Sequence, residues 1–191
     1  DAGGLMMSAL AYDGPVVFFE HKLLSEIYLD YLGFGGRDSI QFDVPAEGNR
    51  GPVPDKWVPL PLGEAIIRRD GGDISLISIS VGVHRALEAA QVLGQEGVNA
   101  QVVDLRTIRP IDKFQICQAA AKTGHVLIID EDYEGFGLSG ELAAIILEAG
   151  ISVKYARVCT QTTIPYATKL EKQTLPNMER IIAAAKSLLM Q

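Results

Sequence analysis

Two stretches of this chain place charge where chemistry could be done. The first is DLRTIRPID, residues 104–112, in which Arg106 and Arg109 follow an apolar run. Guanidinium groups there could hold a phosphate or a carboxylate through forked hydrogen bonds. They could equally pair with nearby acids such as Glu131, or face another protein subunit, and we favour that second reading. Asp112 stands just before a helical pattern. It is placed to accept free amide hydrogens and to suit the helix dipole. The second stretch is DEDYEGFGLSGE, residues 130–141, with a GxG step opening a helix. Such a step can nest an anion. Asp130, Glu131, Asp132 and Glu134 surround it and would repel one, so a close turn between strand and helix fits better.

The remaining reactive side chains form no centre. His21, His84 and His125 share no metal-ligand spacing. Cys159 follows an apolar run and could act as a nucleophile, but no base lies near it in sequence. Cys117 and Cys159 make neither a metal motif nor a disulfide framework. They suit a reducing compartment, the cytoplasm or, in a eukaryote, the mitochondrial matrix. A Walker loop, a GxSxG elbow and a GxGxxG fingerprint are all lacking. No self-contained active site can be read from the residues.

The elements that must position these groups follow from hydrophobic periodicity. Residues 1–12 place Leu5, Met6, Ala9 and Leu10 on one helical face, and GPVVFFE reads as a short buried strand over 15–19. Neither has a partner nearby in the sequence, so both are expected to expose apolar surface when alone and to be frayed or covered by a partner chain. Residues 26–59 are rich in Gly and Pro and read as a linker or long loop. Their aromatics, Tyr28, Tyr31, Phe34, Phe42 and Trp57, argue against full disorder, and Trp57 is expected to pack on something.

From residue 60 the pattern turns regular. EAIIRRDGGDISLISIS reads as two strands joined by a tight hairpin at Asp70–Asp73. A helix with Val83, Leu87, Ala90 and Leu93 inward comes next, followed by the strand AQVVDL. A second helix turns Phe114, Cys117 and Ala121 inward before the strand HVLIID. A third carries Leu142, Ile145, Ile146 and Ala149 and is closed by Gly150. The strand SVKYARV leads to a last helix with Met178, Ile181, Ile182, Ala185 and Leu188 on one face and Pro176 near its start. Continuous apolar strands alternating with helices imply a sheet covered on both faces. The expected fold is a three-layer α/β/α domain, mostly parallel, with one antiparallel strand from the hairpin. Ligands of such sheets sit at the carboxyl ends of the strands, here residues 80–84, 106–112, 130–137 and 159–167.

A chain of 191 residues with 48% hydrophobic and 21% charged residues is that of an ordinary globular protein. The net charge of −7 argues against nucleic acid or an anionic membrane as partner. No apolar run approaches the roughly 20 residues that span a bilayer.

Several ordered motifs resemble one family. DAGGLMMSALAYDGPVVFFEHKLL, DLRTIRPID, AKTGHVLIIDEDYEGFGLSGEL and IPYATKLEKQTLPNMERI together resemble the beta subunit of thiamine-diphosphate-dependent 2-oxo acid dehydrogenases of the pyruvate, branched-chain and acetoin types. The resemblance covers nearly the whole chain except 26–59. It implies that residues 1–25 are the tail end of a pyrimidine-binding domain. It makes 60–191 a complete transketolase-type C-terminal domain. The activating glutamate and a substrate-side histidine would lie before Asp1. The diphosphate and Mg²⁺ motif belongs to the alpha subunit, and DGGD at 70–73 does not replace it.

No cofactor is therefore expected on this chain, and thiamine diphosphate with Mg²⁺ is expected in the assembled enzyme. The implied partners are an alpha subunit, a second beta subunit and the lipoyl acyltransferase core, docked through the end of the chain at KSLLMQ. Arg106, Arg109, Asp112 and Glu131 are then expected on a polar interface loop, and the chain alone is expected to be inactive. The alternative is a free-standing module that binds a regulator or partner without catalysis. The equivalent domain of transketolase or deoxyxylulose-phosphate synthase is a third reading, which PVVFFEHKLL fits less well.

Overall fold

The computed structural model describes residues 1–21, 24 and 53–190. Most of the expected linker, residues 26–52 with Tyr28, Tyr31, Phe34 and Phe42, lies outside the described residues. The chain divides into two compact units, Asp1–Leu62 and Gly63–Gln191.

In the first unit, helix α1 (Ala2–Ala11) packs through its smallest residues. A Cβ on Gly3 would lie 2.4 Å from the Trp57 ring, and one on Gly4 would lie 2.7 Å from Leu60 Cγ. Without side chains there, segment 57–60 comes close enough for Leu60 N to donate to Gly4 O at 3.1 Å. Trp57 has the packing partner expected of it. The expected apolar stripe is displaced: Gly4 is the buried residue, and Leu10 is exposed. Residues 15–19 form no strand among the described residues, and Val16, Val17, Phe18 and Phe19 are exposed. A strand exists only through a ladder with a neighbour, and no described segment pairs here.

The second unit carries five strands, β1 (Ile66–Arg69), β2 (Ile74–Ser78), β3 (Ala100–Asp104), β4 (His125–Tyr133) and β5 (Lys154–Thr160). Its helices are α2 (Val81–Gln95), α3 (Lys113–Thr123), α4 (Leu138–Glu148), α5 (Thr168–Thr174) and α6 (Met178–Leu189). The sheet order is β1-β3-β2-β4-β5, with β1 antiparallel to β3 and all other pairs parallel.

Successive side chains of a strand point to opposite faces. Ile74, Leu76, Val102, Leu127, Ile129 and Val158 therefore face α2 and α6, whose Ala86, Ala90, Leu93, Ile181 and Ala185 complete that core. Ile77, Val103, Val126 and Ile128 face α3 and α4 with Ile116, Ala120, Leu142 and Ile146. Helices cover both sheet faces, which explains the unalternating apolar strands and gives the expected three layers.

Two expectations are corrected. The antiparallel strand is present, but β1 and β2 do not form a hairpin. β3 lies between them, and the 70–73 connection crosses the start of β3. Gly71 permits this, because a Cβ there would lie 2.4 Å from Asn99 O and Ala100 C. Asp73 seals the crossing: its amide donates to Asn99 O at 3.1 Å, and its Oδ2 accepts from Asn99 N at 2.6 Å. The second correction is the face of α3. Ile116, Ala119 and Ala120 are buried, Phe114 and Ala121 are exposed, and Cys117 is half-buried. Phe114 sits in the first turn, at the carboxyl edge where the sheet ends.

Candidate functional site

The carboxyl ends of β2 to β5 bring the four expected loops to one edge of the sheet. The loop after β3 is built inward. Asp112 Oδ1 accepts from Gln115 N at 2.9 Å, capping α3, and its Oδ2 accepts from Ala65 N at 2.8 Å. Thr107 Oγ1 donates to Pro110 O at 2.8 Å and accepts from Gly63 N at 3.1 Å. Arg106 has a φ of 57°, its amide donates to Asp104 Oδ1 at 3.0 Å, and its Nε donates to Glu64 O at 2.9 Å. One carboxylate thus holds a helix start and the chain entering the domain. Ile108 and Arg109 point out to solvent.

The loop after β4 is a turn held by a buried acid. Asp130 is 7% exposed; its Oδ1 accepts from Asp132 N and its Oδ2 from Ser139 N, both at 3.0 Å. The second bond satisfies an amide in the first turn of α4, whose own cap residue, Gly137, has no side chain to offer. Thr160 Oγ1 donates to the main-chain carbonyl of Glu131 at 2.7 Å, tying β4 to β5. Glu134 accepts from Arg157 at 3.2 Å. The GxG step is a close turn: a Cβ on Gly137 would lie 2.3 Å from Tyr133 O. Phe136 between the glycines has a φ of 67° and a fully exposed ring.

Three arrangements escaped sequence reasoning. Arg68, at an irregularity of the β1–β3 register, donates through Nε at 3.1 Å and Nη2 at 2.7 Å to Asp104 Oδ2. His84 lies half-buried beside this pair. Burial pulls its imidazolium below the usual value, and Arg68 adds to that while Asp104 and Glu88 oppose it. On β5, Tyr155 donates to Ser139 O at 2.7 Å, and burial pushes its phenol up to about 12. Cys159 is buried with its Sγ 3.4 Å from Ser139 Oγ, and burial pushes the thiol up. That environment disfavours a thiolate, so Cys159 does not fit the nucleophile role. No short motif signals these contacts, because the partners lie 36, 16 and 20 residues apart in sequence.

No group of three or more His, Cys, Asp or Glu among the described residues is arranged to hold a metal ion. No helix among them is long and apolar enough to cross a membrane. The acids around the β4–α4 turn do not fit a bound diphosphate, so no step through thiamine diphosphate is derived on this chain. The edge instead exposes Ile108, Tyr133, Phe136, Ile164 and Tyr166, spread over three loops.

The family model "Transketolase, C-terminal domain" matches residues 63–181. The chain belongs to that family.

Among relatives of this transketolase C-terminal domain, the 2-oxoisovalerate dehydrogenase subunit beta of Bacillus subtilis is 37% identical over 98% of this chain and 53% of its own length. The acetoin:2,6-dichlorophenolindophenol oxidoreductase subunit beta of Cupriavidus necator is 33% identical over 97% of this chain and 50% of its own. The mitochondrial pyruvate dehydrogenase E1 component subunit beta of Dictyostelium discoideum is 32% identical over 97% and 48%. The chain spans about half the length of these relatives. Among solved structures, a split-gene transketolase described as an inactive beta4 tetramer superposes with a TM-score of 0.64 at 24% identity, over 70% of this chain and 44% of that one. That likeness concerns the fold.

Proposed function

We propose that this chain is the C-terminal portion of the beta subunit of a 2-oxo acid dehydrogenase. It serves subunit assembly and docking in the oxidative decarboxylation of a 2-oxo acid with acyl transfer to lipoyl. It is inactive alone; thiamine diphosphate and Mg²⁺ are held elsewhere in the assembled enzyme. Its partners are an alpha subunit, a second beta subunit and the lipoyl acyltransferase core, the last reached through KSLLMQ, residues 186–191. It works in the cytoplasm, or in the mitochondrial matrix of a eukaryote. Residues 1–25 then close a pyrimidine-binding domain, 26–59 link it, and 60–191 form the C-terminal domain.

The observation that carries this reading is the use of the carboxyl edge. Its buried acid and the Asp112 cap are engaged with backbone amides, while large apolar side chains stand exposed above them. An edge of that kind suits contact with protein rather than chemistry on a small molecule.

Arg109 faces a protein partner in this account, and Arg106 and Glu131 lie on the same polar edge. Arg109→Ala, measured in the enzyme assembled with its alpha subunit, is expected to weaken assembly while turnover per assembled enzyme stays normal. Normal assembly with lost turnover would place Arg109 at substrate and contradict the proposal.

A further inference from the structure

The chain enters the second unit through three successive residues, and one loop grips all of them. Gly63 N donates to Thr107 Oγ1 at 3.1 Å, Glu64 O accepts from Arg106 Nε at 2.9 Å, and Ala65 N donates to Asp112 Oδ2 at 2.8 Å. The partners lie 44, 42 and 47 residues apart, so no local turn makes these bonds. Gly63 is also fitted by shape. Its φ is 84°, and a Cβ there would lie 2.8 Å from Pro110 Cγ.

The grip is rooted in the sheet at one end and in a helix at the other. At the sheet, Asp104 is 9% exposed and accepts from Arg68 Nη2 at 2.7 Å and from the Arg106 amide at 3.0 Å. The second of these bonds holds Arg106 at a φ of 57°, a costly backbone for a residue with a side chain. At the helix, Asp112 divides its carboxylate between Ala65 N and Gln115 N, the latter an amide that the first turn of α3 leaves without a helical acceptor. The side chains of Ala65, Ile111 and Cys117 pack on one core. A capping carboxylate needs only the helix amide. Here it also bonds a distant segment, so displacing either partner shifts the group that holds the other.

We propose that the loop after β3 is a clasp that couples the chain entering at 63–65 to the first turn of α3. Closed, as in this structure, it fixes Gln115 and the exposed Phe114 beside it. Displacement of the entering chain opens it and loosens that turn. Coupling is reciprocal, so loosening α3 also frees the entering chain. The clasp lies wholly within the second unit and stands independently of the enzyme reading above.

The test opens the clasp at the end remote from α3, in the full 191-residue chain. Gly63→Ala drives a Cβ against Pro110. Thr107→Val removes the hydroxyl and keeps the shape of the side chain. Neither change touches Asp112 or α3. Hydrogen exchange resolved to single amides is read at Ala65, Gln115 and Ile116, with Ile128 of β4 as reference. Each variant is expected to speed exchange about tenfold at the first three and to leave Ile128 unchanged. The Cys117 thiol, in the second turn of α3, should react faster by a similar factor. Thr107→Ser, which keeps the hydroxyl, is expected to match wild type.

Faster exchange at Ala65 with Gln115 and Ile116 unchanged overturns the coupling, because chain and helix then open separately. Wild-type exchange at every site in both variants overturns it too. An equal acceleration at Ile128 does the same, since the effect is then general loss of stability, as does Thr107→Ser behaving like Thr107→Val.

Discussion

Asp130 holds the first turn of α4 from the end of β4: its Oδ2 accepts the Ser139 amide at 3.0 Å while its Oδ1 accepts the Asp132 amide at the same distance. A single buried carboxylate therefore fixes both the bend leaving the sheet and the helix that follows. Asp130→Ala should leave two amides without their partner and lower stability by about 1–3 kcal/mol. Urea unfolding measures this, and a loss under a few tenths would show that the cap is dispensable.

The two glycines of the EGFG turn should behave differently. Gly137→Ala forces a Cβ to within 2.3 Å of the Tyr133 carbonyl, whereas a Cβ on Gly135 meets nothing within 4 Å. The first change should destabilise by several kcal/mol or prevent folding, and the second should stay within about 0.5 kcal/mol. Equal melting temperatures for the two variants would disprove the close approach.

Tyr155 should be silent in an alkaline titration until the fold gives way. Its phenol ionises at about 12 in the folded chain and near about 10 when unfolded. The folded state thus favours the neutral form. That contribution is complete below pH 10 and is lost as pH rises through 12. The stability difference between wild type and Tyr155→Phe should be constant below pH 10 and shrink above it. Phenolate absorbance from Tyr155 near pH 10 in the native protein would contradict this.

The two cysteines should separate by reactivity. Cys159 is 2% exposed with its thiol pushed up by burial, while Cys117 is half-buried on α3. A thiol reagent at neutral pH should modify Cys117 first and reach Cys159 only on unfolding. Mass spectrometry locates the adduct, and early labelling of Cys159 would mean that its pocket opens.

Much of the fold is legible in local pattern, because the forces that set it are local. The continuous apolar runs of β2, β3 and β4 report a sheet covered on both faces, and Asp112 and Gly150 mark a helix start and end through their own backbone chemistry. What escaped depends on distant partners. The Asp-Gly-Gly-Asp turn carries a hairpin signal, yet its neighbour is fixed by β3, some thirty residues on. In α3 the apolar residues surround the helix, so periodicity cannot choose between the face of Phe114 and that of Ile116; the sheet beneath makes the choice. The Asp130 cap and the Arg68–Asp104 pair join groups 9 and 36 residues apart, beyond any short motif.

The central claim is that this lobe builds an enzyme without handling its coenzyme. Isothermal titration of thiamine diphosphate with Mg²⁺ into the purified chain tests it most directly. The account predicts no heat beyond dilution and no decarboxylation of any 2-oxo acid. Saturable binding of the coenzyme by this chain alone would contradict it.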